Sequence, residues 1–227
     1  MSIFQRVHAE CPGCGERSGF EAFVSINADR RPDLRAAILD GSFQRHPCLH
    51  CGITFRVEPE FTYIDYGRGQ YIGAWPVGRR AAWAEWAART QGAFDRAFGT
   101  LATGAARELG DTLRLRVTFG WPALTEKLVA QETDIDDTTL EVAKVAIVSR
   151  MEHAPLPGRE ELRLVHADGK ELMLGWVRAE GHRLGKCLRI PRALLDDIER
   201  EPAVWRGLRE QVGGGALVDF QREMLVA

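Results

Sequence analysis

The chain has 227 residues, a net charge of −2 with histidine neutral, and 45% apolar residues. That is length enough for one large domain or two small ones, and apolar content enough for a core that needs no disulfides. The near balance of 30 Lys plus Arg against 32 Asp plus Glu gives no global attraction to nucleic acid or anionic lipid.

The first ten residues carry no basic start followed by an apolar run, so they do not read as a signal peptide. No stretch approaches the ~18 consecutive apolar residues of a membrane helix. The expected location is the cytoplasm, where thiols stay reduced and paired cysteines read as metal ligands before disulfides.

Four of the five cysteines form two matched units, Cys11-Pro-Gly-Cys14-Gly15 and Cys48-Leu-His-Cys51-Gly52. A two-residue gap lets one short turn aim two sulfurs at one metal. The trailing glycine can take the positive φ that such a turn needs. Two units supply four thiolates, so Cys11, Cys14, Cys48 and Cys51 are the expected ligands of one structural Zn2+. A redox pair and an iron centre of rubredoxin type use the same residue types and remain the alternatives. His8, His46 and His50 lie close in sequence, but the cysteines already complete a set of four. Their expected place is around the ligands or in solvent.

The spacing between the units is long for a simple ribbon, so an insertion is expected. Phe20 to Asn27 reads as a strand. Pro32 to Asp40 reads as a short helix with proline in its first turn and Gly41 just past its end. After the second unit, Ile53 to Val57, Phe61 to Tyr66 and Gln70 to Trp75 read as strands. Gly67-Arg68-Gly69 fits a hairpin turn better than a phosphate loop, because no amphipathic helix opens there.

Pro76 and Gly78 mark a boundary. Trp83, Trp86, Ala87, Thr90, Phe94 and Phe98 then fall on one face of a helix. A second helix fits Ala102 to Leu109. Leu113, Leu115, Val117 and Phe119 alternate with Arg114, Arg116 and Thr118, as in a half-buried strand with the arginines outward. Pro122 opens a helix to about Gln131. Thr138 and Glu141 fit a capping box for a helix through about Arg150, with a strand as the competing reading. Asp134, Asp136 and Asp137 suit a helix start better than a calcium loop. Asp168-Gly169 between Leu162–Ala167 and Glu171–Val177 is a strong hairpin signal. Cys187 to Ile190 reads as a strand with Cys187 as a small core residue, and helices are expected over Pro191–Arg200 and Ala203–Val212.

The expected fold is α+β. It comprises an N-terminal zinc-ribbon-like β domain with a helical insertion (1–77), a helical linker (78–110) and a mixed α+β region (111–227). Metal removal is expected to disorder about the first 75 residues and spare the last region.

The sequence resembles the bacterial CpXC-domain proteins. The matching features are Cys11-Pro-Gly-Cys14-Gly15, Ser25-Ile-Asn27, Leu34 to Gly41, Cys48 to Gly52, Tyr63-Ile-Asp-Tyr66 and Trp75-Pro76. Arg116-Val-Thr-Phe-Gly120, Leu124-Thr-Glu-Lys127, Asp136-Asp137 and Leu140 to Lys144 resemble longer members. Leu49 stands where the family often has proline, which leaves the ligands intact. The resemblance implies zinc binding and no established activity.

From the residues, the leading functional expectation is an interaction, adaptor or regulatory protein with a protein partner. Nucleic-acid binding is the first alternative, since zinc ribbons often serve it. Residues 1–60, however, hold seven arginines and no lysine against eight acids. An enzyme is the second alternative. No H-E-x-x-H, G-x-S-x-G or P-loop occurs, and Cys187 with His166 or His182 is an unsupported thiol–imidazole pair.

Overall fold

In the computed structural model, which describes residues 2–152, 160–178 and 184–225, the chain is a mixed α+β protein. Its N-terminal half builds one five-stranded sheet. The strands are β1 (Ile3–Glu10), β2 (Arg17–Asn27), β5 (Phe61–Asp65), β6 (Gln70–Trp75) and β7 (Arg114–Phe119), in the spatial order β1-β2-β5-β6-β7. β1 with β2 and β5 with β6 pair antiparallel, as hairpins do. β2 with β5 and β6 with β7 pair parallel, and each parallel step needs a crossover. The first crossover carries α1 (Pro32–Leu39) and the short strands β3 (Arg45–Pro47) and β4 (Thr54–Arg56). The second carries a 3-10 turn (Val77–Ala82), α2 (Trp83–Ala97) and α3 (Gly104–Asp111). One sheet therefore takes strands from both sides of segment 78–110.

Period-two alternation in β6 divides its side chains between two layers. Ile72 and Ala74 face α1 and α4 (Gly120–Glu132), in a core with Ile26, Ile38, Tyr63, Trp121 and Leu124. Tyr71, Gly73 and Trp75 face the aromatic stripe of α2. The Tyr71 and Phe94 rings meet at 5.1 Å and the Trp75 and Trp86 rings at 4.6 Å. Gly73 is where α2 comes closest: a Cβ there would stand 2.5 Å from the Thr90 hydroxyl oxygen. Thr90 is buried and accepts a hydrogen bond from the Trp75 indole at 3.0 Å. Gly73→Ala is therefore expected to lower stability by about 1–3 kcal/mol, the usual cost of overpacking, as urea denaturation would read it.

The second half adds α5 (Asp137–Val148), a three-stranded antiparallel sheet and α6 (Ala193–Arg200) and α7 (Arg206–Gly213). That sheet runs β10 (Leu184–Pro191), β9 (Glu171–Arg178), β8 (Glu160–Ala167). Its core joins Leu140, Leu162, Leu164, Leu172, Leu174 and Ile198. α4 contributes to both cores, Trp121, Leu124 and Leu128 to the first and Ala130 to the second. A helix buried on both sides has no face for free charges, yet α4 buries Glu126 and Lys127.

Those charges belong to a buried lattice. Lys144 donates to Glu126 and to Glu141, and Arg163 donates to Glu126, Glu161 and Asp219. Arg80 pairs with Glu161 and Asp219. Lys127 donates to the Val218 carbonyl at 2.8 Å, and Glu141 accepts the Phe220 N–H at 3.0 Å. The lattice thus fastens the C-terminal stretch across α4, α5 and β8. Glu126 and Glu141 share one ammonium. Burial dominates at Glu141 and raises it to about 7, because the Lys144 charge only partly offsets it. The folded state then holds a proton that the unfolded chain releases above the ordinary carboxylate range. Stability contributed by this group is expected to be present near pH 4.5 and to be lost as pH rises through about 7. Urea midpoints between pH 5 and 8 should show that fall, flattened in Glu141→Gln.

Several sequence expectations meet corrections here. Asp136, not Thr138, caps α5, its carboxylate accepting the Thr139 N–H at 2.9 Å. An aspartate at this position reaches the free N–H groups directly and leaves Glu141 for the interior. Arg116 does not point to solvent: it grips Asp137 by two hydrogen bonds, at 2.6 and 3.0 Å. Cys187 is exposed rather than buried, because β10 is an edge strand with most side chains facing out. The competing strand reading of residues 138–150 gives way to helix.

Candidate metal centre

The two cysteine units sit at strand ends that the fold brings together. The first turns the chain from β1 into β2, and the second turns it from β3 into β4. Their main-chain bonding is the same. Cys11 N donates to Glu16 O at 3.0 Å, and Cys48 N donates to Ile53 O at 2.9 Å. Gly15 N returns to Cys11 O at 2.8 Å, and Gly52 N to Cys48 O at 2.9 Å. Gly15 and Gly52 both have φ of +75°, the left-handed region where a side chain is strained. In each unit the first sulfur accepts a backbone N–H at 3.4 Å, from Gly13 in one and His50 in the other. The first cysteine of each pair is buried and the second exposed.

The four sulfurs lie within 4.8 Å of one another. Cys11 and Cys51 approach to 3.6 Å, and Cys14 and Cys48 to 3.7 Å. A tetrahedron with ~2.3 Å metal–sulfur bonds has edges of ~3.8 Å, so these separations fit one ion between the units. Sulfurs this close do not ionise independently. The Cys51 and His50 N–H groups draw Cys48 down to about 6. The Glu16 N–H favours the Cys14 thiolate, but burial and the three neighbouring sulfurs outweigh it and raise Cys14 to about 12. A divalent cation reverses that opposition, since a coordinated thiol gives up its proton.

His8, His46 and His50 are not among the four clustered residues. His46 stacks on Phe20 at 4.8 Å between ring centres, and burial lowers its pKa. His8 and His50 are exposed. His166 stands opposite Met173 in β8–β9, while Cys187 stands opposite Gly175 in β10–β9. His182 lies outside the described residues.

The family model described as CpXC protein matches residues 9–144, more than half of the chain and inclusive of all four cysteines. The chain belongs to the CpXC family. The matched span of this CpXC protein runs from the first knuckle through the central sheet and α4 into α5. No curated protein and no solved structure matches the chain. Among the described residues, no helix is long and apolar enough to cross a membrane.

What the sequence did not reveal is the charge lattice of Glu126, Glu141, Lys144, Arg163 and Asp219. Its one visible trace is charge inside an otherwise apolar pattern: Glu-Lys at 126–127 within α4, and Glu141 and Lys144 one turn apart in α5.

Proposed function

We propose that this CpXC protein binds one structural Zn2+ through Cys11, Cys14, Cys48 and Cys51, in a zinc-ribbon-like arrangement, and acts in the cytoplasm by contact with a protein partner. The observation that carries the metal reading is the matched pair of knuckles, with sulfurs at 3.6 and 3.7 Å. Four thiolates complete a tetrahedron and leave no position for water or substrate, which favours a structural role over a Lewis-acid one.

The contact reading is supported by the surface around the metal. Leu49 is 80% exposed and Ile53 49% exposed, both beside the second knuckle. Ile53 also lies across Gly13 of the first, where a Cβ would stand 2.5 Å from its Cδ1. The metal thus fixes an apolar tip, and exposed apolar groups held rigidly are a common feature of contact surfaces.

Elemental analysis with thiol titration tests the proposal. About one zinc per chain is expected, with the four paired cysteines unreactive until a chelator is added and Cys187 reactive throughout. A folded protein free of metal, with all five thiols reactive, overturns it. Iron from a native preparation replaces zinc by a metal with the same ligands. For the partner, recovery of one dominant protein from the native host by the wild type, lost in Leu49→Asp with zinc retained, is the expected result. Recovery of nucleic acid instead favours the ribbon's other common use.

A further inference from the structure

Separate from the sulfurs, a cleft of about 870 Å3 lies between the β1–β2 hairpin and the β3–β4 hairpin. Val7, Ala22 and Val24 line it from one hairpin, and Phe55 and Val57 from the other. Arg45 and Arg56 line it as well, and they are register partners across the β3–β4 ladder. Like charges placed directly opposite each other repel.

Among the described residues Arg45 forms no ion pair, and Arg56 feels the opposing charges of Asp40 and Glu58. Three acids also line the cleft, Glu10, Glu58 and Glu60; of these Glu60 holds Arg79 by two hydrogen bonds, and Glu58 accepts the Val77 N–H. Both guanidiniums are instead held in place by main-chain oxygens. Arg45 Nε donates to Gly41 O at 2.8 Å. Arg56 donates to Phe43 O at 2.9 Å and to Ile38 O at 3.2 Å. It also stacks 3.6 Å above the Trp121 ring. Burial first, and Arg45 second, pull Arg56 down to about 10, outweighing the opposing charges of Asp40 and Glu58. Among the described residues the terminal nitrogens of Arg45 bond no protein group, so they remain available to an anion.

A rigid pair of guanidiniums beside apolar walls is the chemistry that holds an anionic headgroup and an apolar body. We propose that this cleft binds a small organic anion, with a carboxylate or phosphate bridging Arg45 and Arg56 and the apolar part against Val7, Ala22, Val24 and Phe55. The volume lies within the ~300–1,000 Å3 range of ligand sites. The metal contributes indirectly. The ladder carrying both arginines ends at Pro47 and Thr54, next to Cys48, so the second knuckle fixes how far apart they stand.

The test uses the zinc-loaded full chain and two probes, 4-phenylbutyrate for a carboxylate and phenyl phosphate for a phosphate. Calorimetry reads binding, and the six tryptophan indole N–H signals read its place. Saturable binding of one probe per chain is expected, with a shift of the Trp121 indole signal, since Arg56 stacks on that ring, and little change at Trp83 and Trp86. Arg45→Glu is expected to weaken binding at least about tenfold, and Arg45→Gln by less. Whichever probe binds more tightly assigns the headgroup. No saturation by either probe up to roughly 10 mM, a Trp121 signal that stays still, or equal binding by both Arg45 variants overturns the proposal. Zinc content is measured in every sample, so loss of the metal and loss of the anion site are told apart.

Discussion

Cys48→Ser is expected to release the metal and to melt the region around it while the rest of the protein stays folded. Structural zinc supplies apparent binding free energies of ~10–16 kcal/mol in finger peptides, and there that binding is folding free energy. Here the dependent region is bounded by packing. β3 and β4 are three residues each, too short to persist alone. Beyond Phe61 the chain enters a core shared with α4, in which Ile26, Tyr63, Ile72, Trp121 and Leu124 touch one another without help from the sulfurs. Hydrogen exchange should therefore show protection lost over about residues 5–22 and 44–57, and kept over β5, β6, β7, α4 and α5. Loss across all of 1–75 with 111–227 spared would match the independent N-terminal unit expected from the sequence. Loss across the whole chain would make the metal a requirement for the central sheet too.

Lys144→Met should be the most destabilising single change away from the metal, at about 3–5 kcal/mol. Lys144 is fully buried and stands between Glu126 and Glu141. Removing its ammonium leaves two carboxylates in the interior facing each other, with Arg163 the remaining partner of Glu126. Methionine keeps the volume, so the loss reports charge and not a cavity. For a chain of this size that is a fall in melting temperature of about 6–20 °C. A change below about 1 kcal/mol would mean that the lattice tolerates an odd charge, through protonation of Glu141 or entry of water. The same lattice fastens residues 216–221, so proteolysis near Gly213–Gly215 should quicken in this variant.

The clustering of the four cysteines was legible because its geometry is local. Two residues between cysteines and a glycine after them fix each knuckle, and one alphabet of hydrogen bonds serves both. α1, the aromatic stripe of α2 and the Asp168-Gly169 hairpin were legible for the same reason, each set by a cap, a period or a turn. β1 was not anticipated: Ile3 to Glu10 is an edge strand exposed over its first four residues, with only Val7 and Ala9 half-buried, so it shows little of the alternation that marks a half-buried one. The lattice was hidden because Arg80, Glu126, Lys144, Arg163 and Asp219 meet only through long-range packing. In sequence, each looks like a solvated charge. Arg116 misled in the same way, since its partner Asp137 lies 21 residues on. The side-by-side pairing of β6 with β7 was likewise invisible, because parallel partners separated by a long crossover leave no local mark.

X-ray absorption at the zinc edge of the purified protein tests the central claim most directly. Four sulfurs at ~2.3 Å and no lighter ligand are predicted, lowered to three sulfurs or to no bound zinc in Cys48→Ser. An oxygen or nitrogen in the shell of the wild-type protein, or a folded preparation with no metal at the edge, would contradict it.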